Sequence, residues 1–532
     1  MRLPGSLLHG VCTGAMLLVY SLSHGQYTNV RLSQPGTRPN EVAIAINPIE
    51  PLEIAAGSNL RYTYRSTDGG RSWSQGELPP GTWGDPSLTY DAGGILYYAH
   101  LANLPGGEFG DRLIVHRSSD GGLTWIDSSE AGHNPPLRLQ DKEWIAADAT
   151  DSPYRNSLYM AWTEFDRYGS SSPSDSSRMF FVRSTDGGAS WSEPVRLSEQ
   201  AGDCLDSDGT VEGAVPAIGP GGEIYLSWSG PLGIMFDRST DGGVSFGEDR
   251  FVADQPGGWN FSIPGIYRCN GLPVTACDIS DSPYRGTVYI LWSDQRNGID
   301  NTDVFLAKST DGGTTWSPPR RVNDDMTVSH QFFPWMAIDQ ATGVLYFVFY
   351  DRRGTTGHAT DVYIASSSDG GETFQNIRVS TSSFTPTERV FFGDYNNIAA
   401  SGGKVYPIWT RMDDGELSVW VALVADPAGV EDGGEPSEPT TFALYQNFPN
   451  PFNPSTTIEF EIGTGGRSSS SLPVTLTVYD ILGREVATLL HQQLGPGRHS
   501  VRFDASGLAG GLYTYRLRAS GKSLDRIMVY LR

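Results

Sequence analysis

A nine-residue segment occurs six times along this chain, and successive copies stand 52 to 70 residues apart. Each copy carries Asp-Gly-Gly-x-[Ser/Thr]-[Trp/Phe] and follows a run of alternating apolar and polar residues. Such runs are typical of β-strands, so each segment predicts a β-hairpin turn. The aspartate accepts backbone N–H groups, the glycines permit positive φ, and the aromatic side chain packs beneath the turn. The six predicted turn aspartates are Asp68, Asp120, Asp186, Asp241, Asp311 and Asp369.

The segments between these turns repeat a larger plan of four strands. A first strand such as "PWMAIDQ" and a second such as "VLYFVFY" precede the third strand and the turn. Four antiparallel strands at this period are typical of a propeller blade. We count seven units and predict an all-β, seven-bladed β-propeller, with a six-bladed ring as the alternative, followed by a small C-terminal β-sandwich.

The last unit, at 391–425, lacks both the Asp turn and a fourth strand. The segment "NVRLSQ" at Asn29–Gln34 resembles the fourth strands "PVRLSE" and "NIRVST" of other units. We therefore predict that the N-terminal segment completes the last blade and closes the ring, which removes an exposed sheet edge.

The six segments resemble the Asp-box, or bacterial neuraminidase, repeats of the sialidase-like superfamily. The resemblance covers about three quarters of the chain and implies a β-propeller. It also implies that the Asp turns are structural and lie on the face away from the active site. The structural role agrees with the residues of each motif, which predict a turn whose backbone N–H groups are hydrogen-bonded within the turn itself.

The two ends of the chain predict export. Arg2, a short apolar run and "SHGQ" predict a signal peptide at residues 1–25. The propeller is then predicted at 26–428, an acidic linker at 429–441 and a separate β-sandwich of immunoglobulin-like type at 442–532. No later segment is long and apolar enough to predict a transmembrane helix in the mature chain.

The segments "NFPNPFNP", "DILGREV" and "GLYTYRL" of the last domain resemble the type A sorting domain of the type IX secretion system. The resemblance implies type IX secretion machinery as a partner, with release or attachment at the outer cell surface. A sugar-binding accessory sandwich is the alternative for this domain.

Composition narrows the classes of partner. The formal net charge of -23 argues against non-specific binding of nucleic acid, which needs a basic face. Cys204, Cys269 and Cys277 fit no standard zinc spacing, so no metal site is predicted from them, and their pairing stays open. The loop Asp294–Asp303 is rich in oxygen ligands and suits Ca²⁺, the one cofactor that the sequence suggests.

The long polar loops that enter first strands and leave second strands lie on the face opposite the Asp turns. Paired carboxylates are what glycoside hydrolysis needs, arginines pair with anionic sugars, and aromatic rings stack on sugar rings. The catalytic candidates on this face are Asp85, Glu143, Asp294, Asp351, Asp394 and Tyr395. The substrate-binding candidates are Arg38, Arg296, Arg352, Arg353, Arg411 and Trp335.

Three functions are compatible with these residues. The first is an exported sialidase-like glycoside hydrolase acting on extracellular glycans or glycoproteins. The second is a propeller that binds a glycan or protein without turnover, and the third is a structural surface or adhesion module. Arg38 stands near the position of an Arg-Ile-Pro arginine of sialidases but lacks the intervening Ile. The first unit also lacks the family's acid/base Asp after its second strand, which speaks against true exo-sialidase activity.

Overall fold

The computed structural model describes residues 27–102, 110–132, 138–425 and most of 443–531, with gaps at 445–446, 448–449, 463–471, 496 and 520–521. The predicted signal peptide (1–25) and linker (429–441) lie outside the described residues. The chain divides into two compact units, Met1–Val430 and Glu431–Arg532. The described residues of both form strands and turns without a helix. Consequently none of them forms a helix that is long and apolar enough to cross a membrane.

The first unit consists of four-stranded antiparallel sheets of the propeller-blade type, numbered here in chain order, with seven of them in the described residues. Sheet 1 contains β2 (Val42–Ile46), β3 (Ile54–Ser58), β4 (Tyr62–Ser66) and β5 (Ser74–Glu77). Sheet 2 contains β6 (Thr82–Tyr90), β7 (Leu96–Ala102), β8 (Leu113–Ser118) and β9 (Asp127–Ala131). Sheet 3 contains β10 (Leu139–Ala147), β11 (Leu158–Phe165), β12 (Ser177–Ser184) and β13 (Val195–Arg196).

The remaining sheets follow the same order of strands. Sheet 4 contains β14 (Ala217–Ile218), β15 (Ile224–Gly230), β16 (Gly233–Ser239) and β17 (Arg250–Ala253). A short hairpin, β18 (Asn260–Phe261) and β19 (Cys269–Asn270), precedes sheet 5, which contains β20 (Val274–Cys277), β21 (Val288–Asp294), β22 (Asp303–Ser309) and β23 (Arg320–Arg321). Sheet 6 contains β24 (Gln331–Ile338), β25 (Leu345–Asp351), β26 (Asp361–Ser367) and β27 (Gln375–Arg378). Sheet 7 contains β28 (Asn397–Ser401), β29 (Lys404–Asp413), β30 (Glu416–Ala425) and β1 (Thr28–Arg31).

The sheets meet through their first strands, each of which contacts the first strand of the next sheet, and sheet 7 contacts sheet 1 in the same way. Apolar side chains fill the space between sheets, and indoles of the second strands are buried there, as Trp162, Trp292 and Trp409 are. The predicted closure by the N-terminal segment is confirmed, because Val30 pairs with Val421 and the backbone N–H of Leu32 donates to Val419.

The six Asp-Gly-Gly segments form the self-satisfied turns that their sequence predicts. In the first, the Asp68 carboxylate accepts the Ser72 backbone N–H at 2.9 Å and the Ser72 hydroxyl at 2.6 Å. Gly69 and Gly70 have φ of 71° and 81°, a left-handed conformation that favours glycine. Strand register places each turn at the end of its sheet opposite the start of the first strand. The turns therefore lie away from the loops that carry the candidate site residues.

Asp311→Ala should lower the free energy of unfolding of the first unit by about 1–2 kcal/mol, because several hydrogen bonds of its turn are lost together. Asp311 accepts from the Thr315 backbone N–H at 2.9 Å, from the Thr315 hydroxyl at 2.6 Å and from Ser309 at 2.7 Å. Denaturant unfolding measures the change. Asp281→Ala is the matched control, since that aspartate is fully exposed and should change the free energy by less than about 0.5 kcal/mol. Equal midpoints for the two variants would contradict the prediction.

Sheets 3 and 4 are joined at their outer edge by a reciprocal pair of acidic residues. The Glu199 backbone N–H donates to the Asp249 carboxyl at 2.9 Å, and the Asp249 backbone N–H donates to the Glu199 carboxyl at 2.6 Å. Burial and the hydrogen bond to Glu199 raise the pKa of Asp249 to about 7. The folded state therefore holds this proton more tightly than the unfolded chain does, and that stabilisation is lost as the pH rises through about 7.

At pH 8 the free energy of unfolding of Asp249→Asn should consequently exceed that of the unaltered chain by about 1–2 kcal/mol, a figure reduced because the position is half-exposed. At pH 5 the two free energies of unfolding should differ little. Thermal unfolding at both pH values measures this. Asp254→Asn, a change of the same chemistry at an exposed nearby position, should show no such dependence. A gain for Asp249→Asn that is equal at the two pH values would disprove the carboxyl-pair explanation.

The second unit is a pair of antiparallel sheets with its own apolar core. One sheet contains β31 (Ala443–Leu444), β32 (Ser455–Ile462) and β35 (Gly497–Asp504). The other contains β33 (Leu472–Asp480), β34 (Glu485–Leu494), β36 (Gly511–Ala519) and β37 (Lys522–Tyr530). Phe460, Leu476 and Tyr515 are among the side chains buried between them. This arrangement agrees with the predicted β-sandwich.

Candidate functional site

The start of the first strand carries a repeated irregularity in six of the seven sheets. A residue with positive φ stands there, namely Glu41 (45°), Asp85 (55°), Lys142 (52°), Gly213 (85°), Phe333 (49°) and Gly393 (98°). The strand register shifts at the same place in sheets 2, 3 and 6. A bulge of this kind redirects the following side chains, and a non-glycine residue in it costs about 1–2 kcal/mol. The irregularity turns side chains of several sheets toward one centre.

The centre is a pocket to which six sheets contribute, called here the axial pocket. Its lining consists of Asp85, Lys142, Glu143, Trp144, Gly213, Ala214, Val215, Asn270, Leu272, Pro273, Val274, Phe333, Pro334, Trp335, Asp394 and Tyr395. A second pocket, called here the side pocket, adjoins it and shares four residues with it, namely Lys142, Asn270, Leu272 and Asp394. Asp206, Glu212 and Arg268 are among the residues that line the side pocket alone. Both pockets lie at the end of the sheets that is opposite the Asp turns.

Asp394 is the centre of a buried ion-pair network. Its carboxylate accepts from the Lys142 ammonium at 2.6 Å and from Nε of Arg268 at 2.9 Å, and the Arg268 fork also bonds it through Nη2. Arg268 continues to Asp206 at 3.1 Å. Although burial alone would raise it, these two cations hold the pKa of Asp394 at about 2. Asp394 is therefore an ionised carboxylate at neutral pH.

Glu143 differs from Asp394 because it is a buried carboxyl that no other described residue bonds. Its side chain is 1% exposed, and neither oxygen bonds another of the described residues. Burial, followed by the nearby charge of Asp85, raises the pKa of Glu143 well above its usual value. A carboxyl in such a place keeps its proton to a higher pH than an ordinary glutamic acid does, which suits it to donate a proton.

Other acidic groups surround these two. Burial is the main cause that raises the pKa values of Glu41, Asp141 and Glu212, and Lys142 opposes it in each case. Glu41 bonds the Asn59 amide, whereas Oε2 of Glu212 has no partner among the described residues. The site therefore places an ionised carboxylate, Asp394, beside acids whose pKa values are raised.

Three aromatic rings form one side of the axial pocket. The ring centroids of Trp144 and Trp335 are 4.3 Å apart, and Tyr395 meets Trp144 edge-on at 5.6 Å. The Tyr395 hydroxyl has no hydrogen-bond partner among the described residues, and burial raises its pKa well above the usual value. Aromatic faces beside carboxyl groups are suited to the apolar and polar sides of a sugar ring.

Five residues predicted from the sequence come together in the axial pocket, namely Asp85, Glu143, Asp394, Tyr395 and Trp335. The other two catalytic candidates end second strands outside it. Asp294 bonds Arg296 and the Trp292 indole, and Asp351 bonds Arg353. These carboxylates are satisfied within their own sheets.

The arginines predicted to bind substrate do not line either pocket. Arg38 is half-exposed and pairs with Glu416, and Arg411 pairs with Asp413. Arg296 and Arg353 pair with the aspartates named above, while Arg352 donates to the Pro264 carbonyl. The cations at the site are Lys142 and Arg268, which the sequence reasoning missed. Lys142 adjoins the predicted Glu143, but the position of Arg268 depends on the hairpin β18–β19.

In the predicted Ca²⁺ loop, the carboxylates of Asp294 and Asp303 are engaged by protein groups. Asp303 accepts from the amides of Asn297 and Asn323 at 2.6 Å each. Among the described residues, no group of three or more His, Cys, Asp or Glu side chains is arranged to hold a metal ion. All three cysteines in the described part of the chain are buried free thiols.

Comparison with known proteins gives a family for the second unit and distant relatives for the first. Residues 446–530 match the family model of the secretion system C-terminal sorting domain. A xyloglucanase of Acetivibrio thermocellus is 24% identical over 352 residues, covering 55% of this chain and 35% of that protein. A sialidase of Micromonospora viridifaciens is 24% identical over 353 residues, covering 60% and 50%. The chain thus spans between about a third and a half of the length of these two relatives.

Solved structures similar to the chain include sialidases and related propeller glycosidases. The Hadza microbial sialidase Hz136 is 13% identical, with a TM-score of 0.41 and coverage of 70% of this chain and 73% of that one. A Trypanosoma rangeli sialidase is 13% identical, with a TM-score of 0.39 and coverage of 85% of each chain.

Proposed function

We propose that the protein is an exported glycoside hydrolase whose first unit is a closed seven-bladed β-propeller and whose axial pocket cleaves an extracellular glycan. The observation that carries the proposal is Glu143, a buried carboxyl whose two oxygens lack a hydrogen-bond partner among the described residues, in a pocket that also holds an ionised carboxylate. Such an arrangement costs stability unless a ligand uses it.

The two carboxyls suit the two tasks of glycoside hydrolysis. Glu143 is the general acid that protonates the oxygen of the departing sugar. Asp394 is the ionised partner that stabilises positive charge at the reacting carbon or activates a water molecule. Trp144 and Trp335 hold the sugar ring, and their burial beside the acids keeps bulk water from the reacting bond. Distant relatives named xyloglucanase and sialidase agree with a glycosidase class.

A panel assay tests this proposal. The purified full chain is incubated with aryl glycosides, xyloglucan, arabinan and sialyllactose, and the release of reducing ends or free sialic acid is measured. We expect release from at least one glycan, and we expect Glu143→Gln to slow it by about 10²- to 10⁴-fold. Glu130→Gln, at a half-exposed position distant from the pocket, is the matched control. No release from any member by a folded sample would reject the hydrolase.

One observation favours a second candidate, a propeller that binds a glycan without turnover. Asp394 is engaged by Lys142 and Arg268 together, which lowers its strength as a nucleophile or base. Binding of a glycan in the same panel without any release would favour this candidate over the hydrolase.

We also propose that the chain leaves the cell through type IX secretion, with residues 442–532 as the address and residues 1–25 as the signal peptide. The sorting-domain match at 446–530 supports the first part. In a bacterium that has this secretion system, deletion of 442–532 should retain the protein in the periplasm, while the full chain reaches the medium or the cell surface. Export of the deletion variant past the outer membrane would reject the address.

A further inference from the structure

The axial and side pockets contain two cations in their lining, and carboxylates already occupy both. Lys142 donates to Asp394 and stands 3.9 Å from Glu41. Arg268 binds Asp394 with two of its nitrogens and Asp206 with a third. Neither cation faces the pockets alone, so an incoming anion would have to displace a buried carboxylate from both.

The groups in the lining that lack hydrogen-bond partners are carboxyl and hydroxyl groups rather than cations. Both oxygens of Glu143, Oε2 of Glu212 and the hydroxyl of Tyr395 have no partner among the described residues. Glu143 and Glu212 are each 1% exposed and belong to the lining of the two pockets. A buried polar group that lacks a partner destabilises the protein, and a ligand hydroxyl would supply the missing hydrogen bond.

We propose that these pockets take an uncharged, hydroxyl-bearing segment of a glycan and reject segments that carry carboxylate or sulfate groups. The inference rests on the proposed glycan-binding function and specifies its substrate class. Carboxyl groups accept and donate hydrogen bonds to sugar hydroxyls, while Trp144 and Trp335 cover the apolar face of the ring. An anionic sugar meets Asp85, Asp206 and Asp394 at short range and gains no unpaired cation in return.

The experiment uses the full chain on an array of neutral, carboxylated, sulfated and amino-sugar glycans, which includes xyloglucan, arabinan, polygalacturonate, sialylated chains and chitosan. The strongest neutral glycan is then titrated beside its carboxylated counterpart by calorimetry at 50 and 500 mM salt. We expect at least tenfold tighter binding of the neutral glycan, with less than a twofold change between the two salt concentrations.

Asp394→Asn supplies a gain-of-binding test, because it leaves Lys142 and Arg268 able to pair with a ligand anion. The preference for the neutral glycan should fall at least tenfold in this variant. Should it fail to fold, Asp206→Asn releases one bond of Arg268 and should shift the preference in the same direction by a smaller factor.

The outcomes separate the two proposals. Equal or tighter binding of a carboxylated, sulfated or amino glycan by the unaltered chain would overturn the charge inference and leave the glycan-binding function in place. Binding of no glycan on the array would overturn both.

Discussion

Glu143→Gln should reduce the rate of glycoside release by about 10²- to 10⁴-fold, the usual contribution of a general acid. Glutamine has nearly the same shape as glutamic acid but cannot give up a proton to the leaving oxygen. Because the substituted group has no hydrogen-bond partner among the described residues, little of the surrounding structure should change. The measurement is kcat on the best substrate of the panel, beside the Glu130→Gln control.

The pH profile gives this prediction a second readout. Since burial raises the pKa of Glu143, the activity of the unaltered protein should persist to a higher pH than an ordinary glutamic acid would allow, and it should fall as the pH rises through that elevated pKa. The residual activity of Glu143→Gln should lack this alkaline fall. The variant should also be the more stable protein at high pH, because the protonated form that stabilises the fold is lost as the pH rises. Retention of more than a tenth of the activity would remove Glu143 from the mechanism.

Asp394→Asn should lower the free energy of unfolding by about 3–5 kcal/mol, as removal of one member of a buried ion pair does. The Asp394 side chain is 2% exposed and that of Lys142 is 10% exposed, so the cations left behind cannot be hydrated fully. The control is Asp324→Asn, which removes a half-exposed partner of Arg353 and should cost less than about 1 kcal/mol. Denaturant unfolding at pH 7 measures both.

Two further measurements identify the cause. A Lys142→Met substitution added to Asp394→Asn should restore part of the lost stability, which a double-mutant cycle quantifies. The contribution of Asp394 should also disappear in acid, since its folded pKa of about 2 lies below the unfolded value: it is present above pH ~4 and is lost as the pH falls through about 2. Equal losses for Asp394→Asn and Asp324→Asn would contradict the network described here.

The strands and turns of the first unit could be predicted from the sequence because short, local motifs specify them. Asp-Gly-Gly between two alternating runs specifies a turn within six residues, and the turn at Asp68 satisfies itself with hydrogen bonds to its own neighbours. Asp85, Glu143 and Asp394 lie in loops that enter first strands. Because the equivalent ends of sheets in a ring converge, these positions predicted that the three side chains share one site, and all three line the axial pocket.

The cations of the site could not be found in this way. Arg268 belongs to an insertion outside the repeated plan, and tertiary bonds, such as that from the Trp259 indole to Thr210, determine where it lies. The predicted Arg296 and Arg353 each follow a strand-ending aspartate by two residues and bond it. That spacing is a local signal of pairing within the loop, and it explains why neither arginine reaches the pocket.

The pairing of β1 with β30 has a consequence for how the molecule is made. Residues 28–31 meet residues 420–423, so nearly four hundred residues must be synthesised before the first strand finds its partner. Contacts of such long range form slowly. A nascent or truncated chain would meanwhile display an open β edge, which invites intermolecular association. The edge of sheet 7 that β1 covers therefore stays open until residues 420–423 are present and folded.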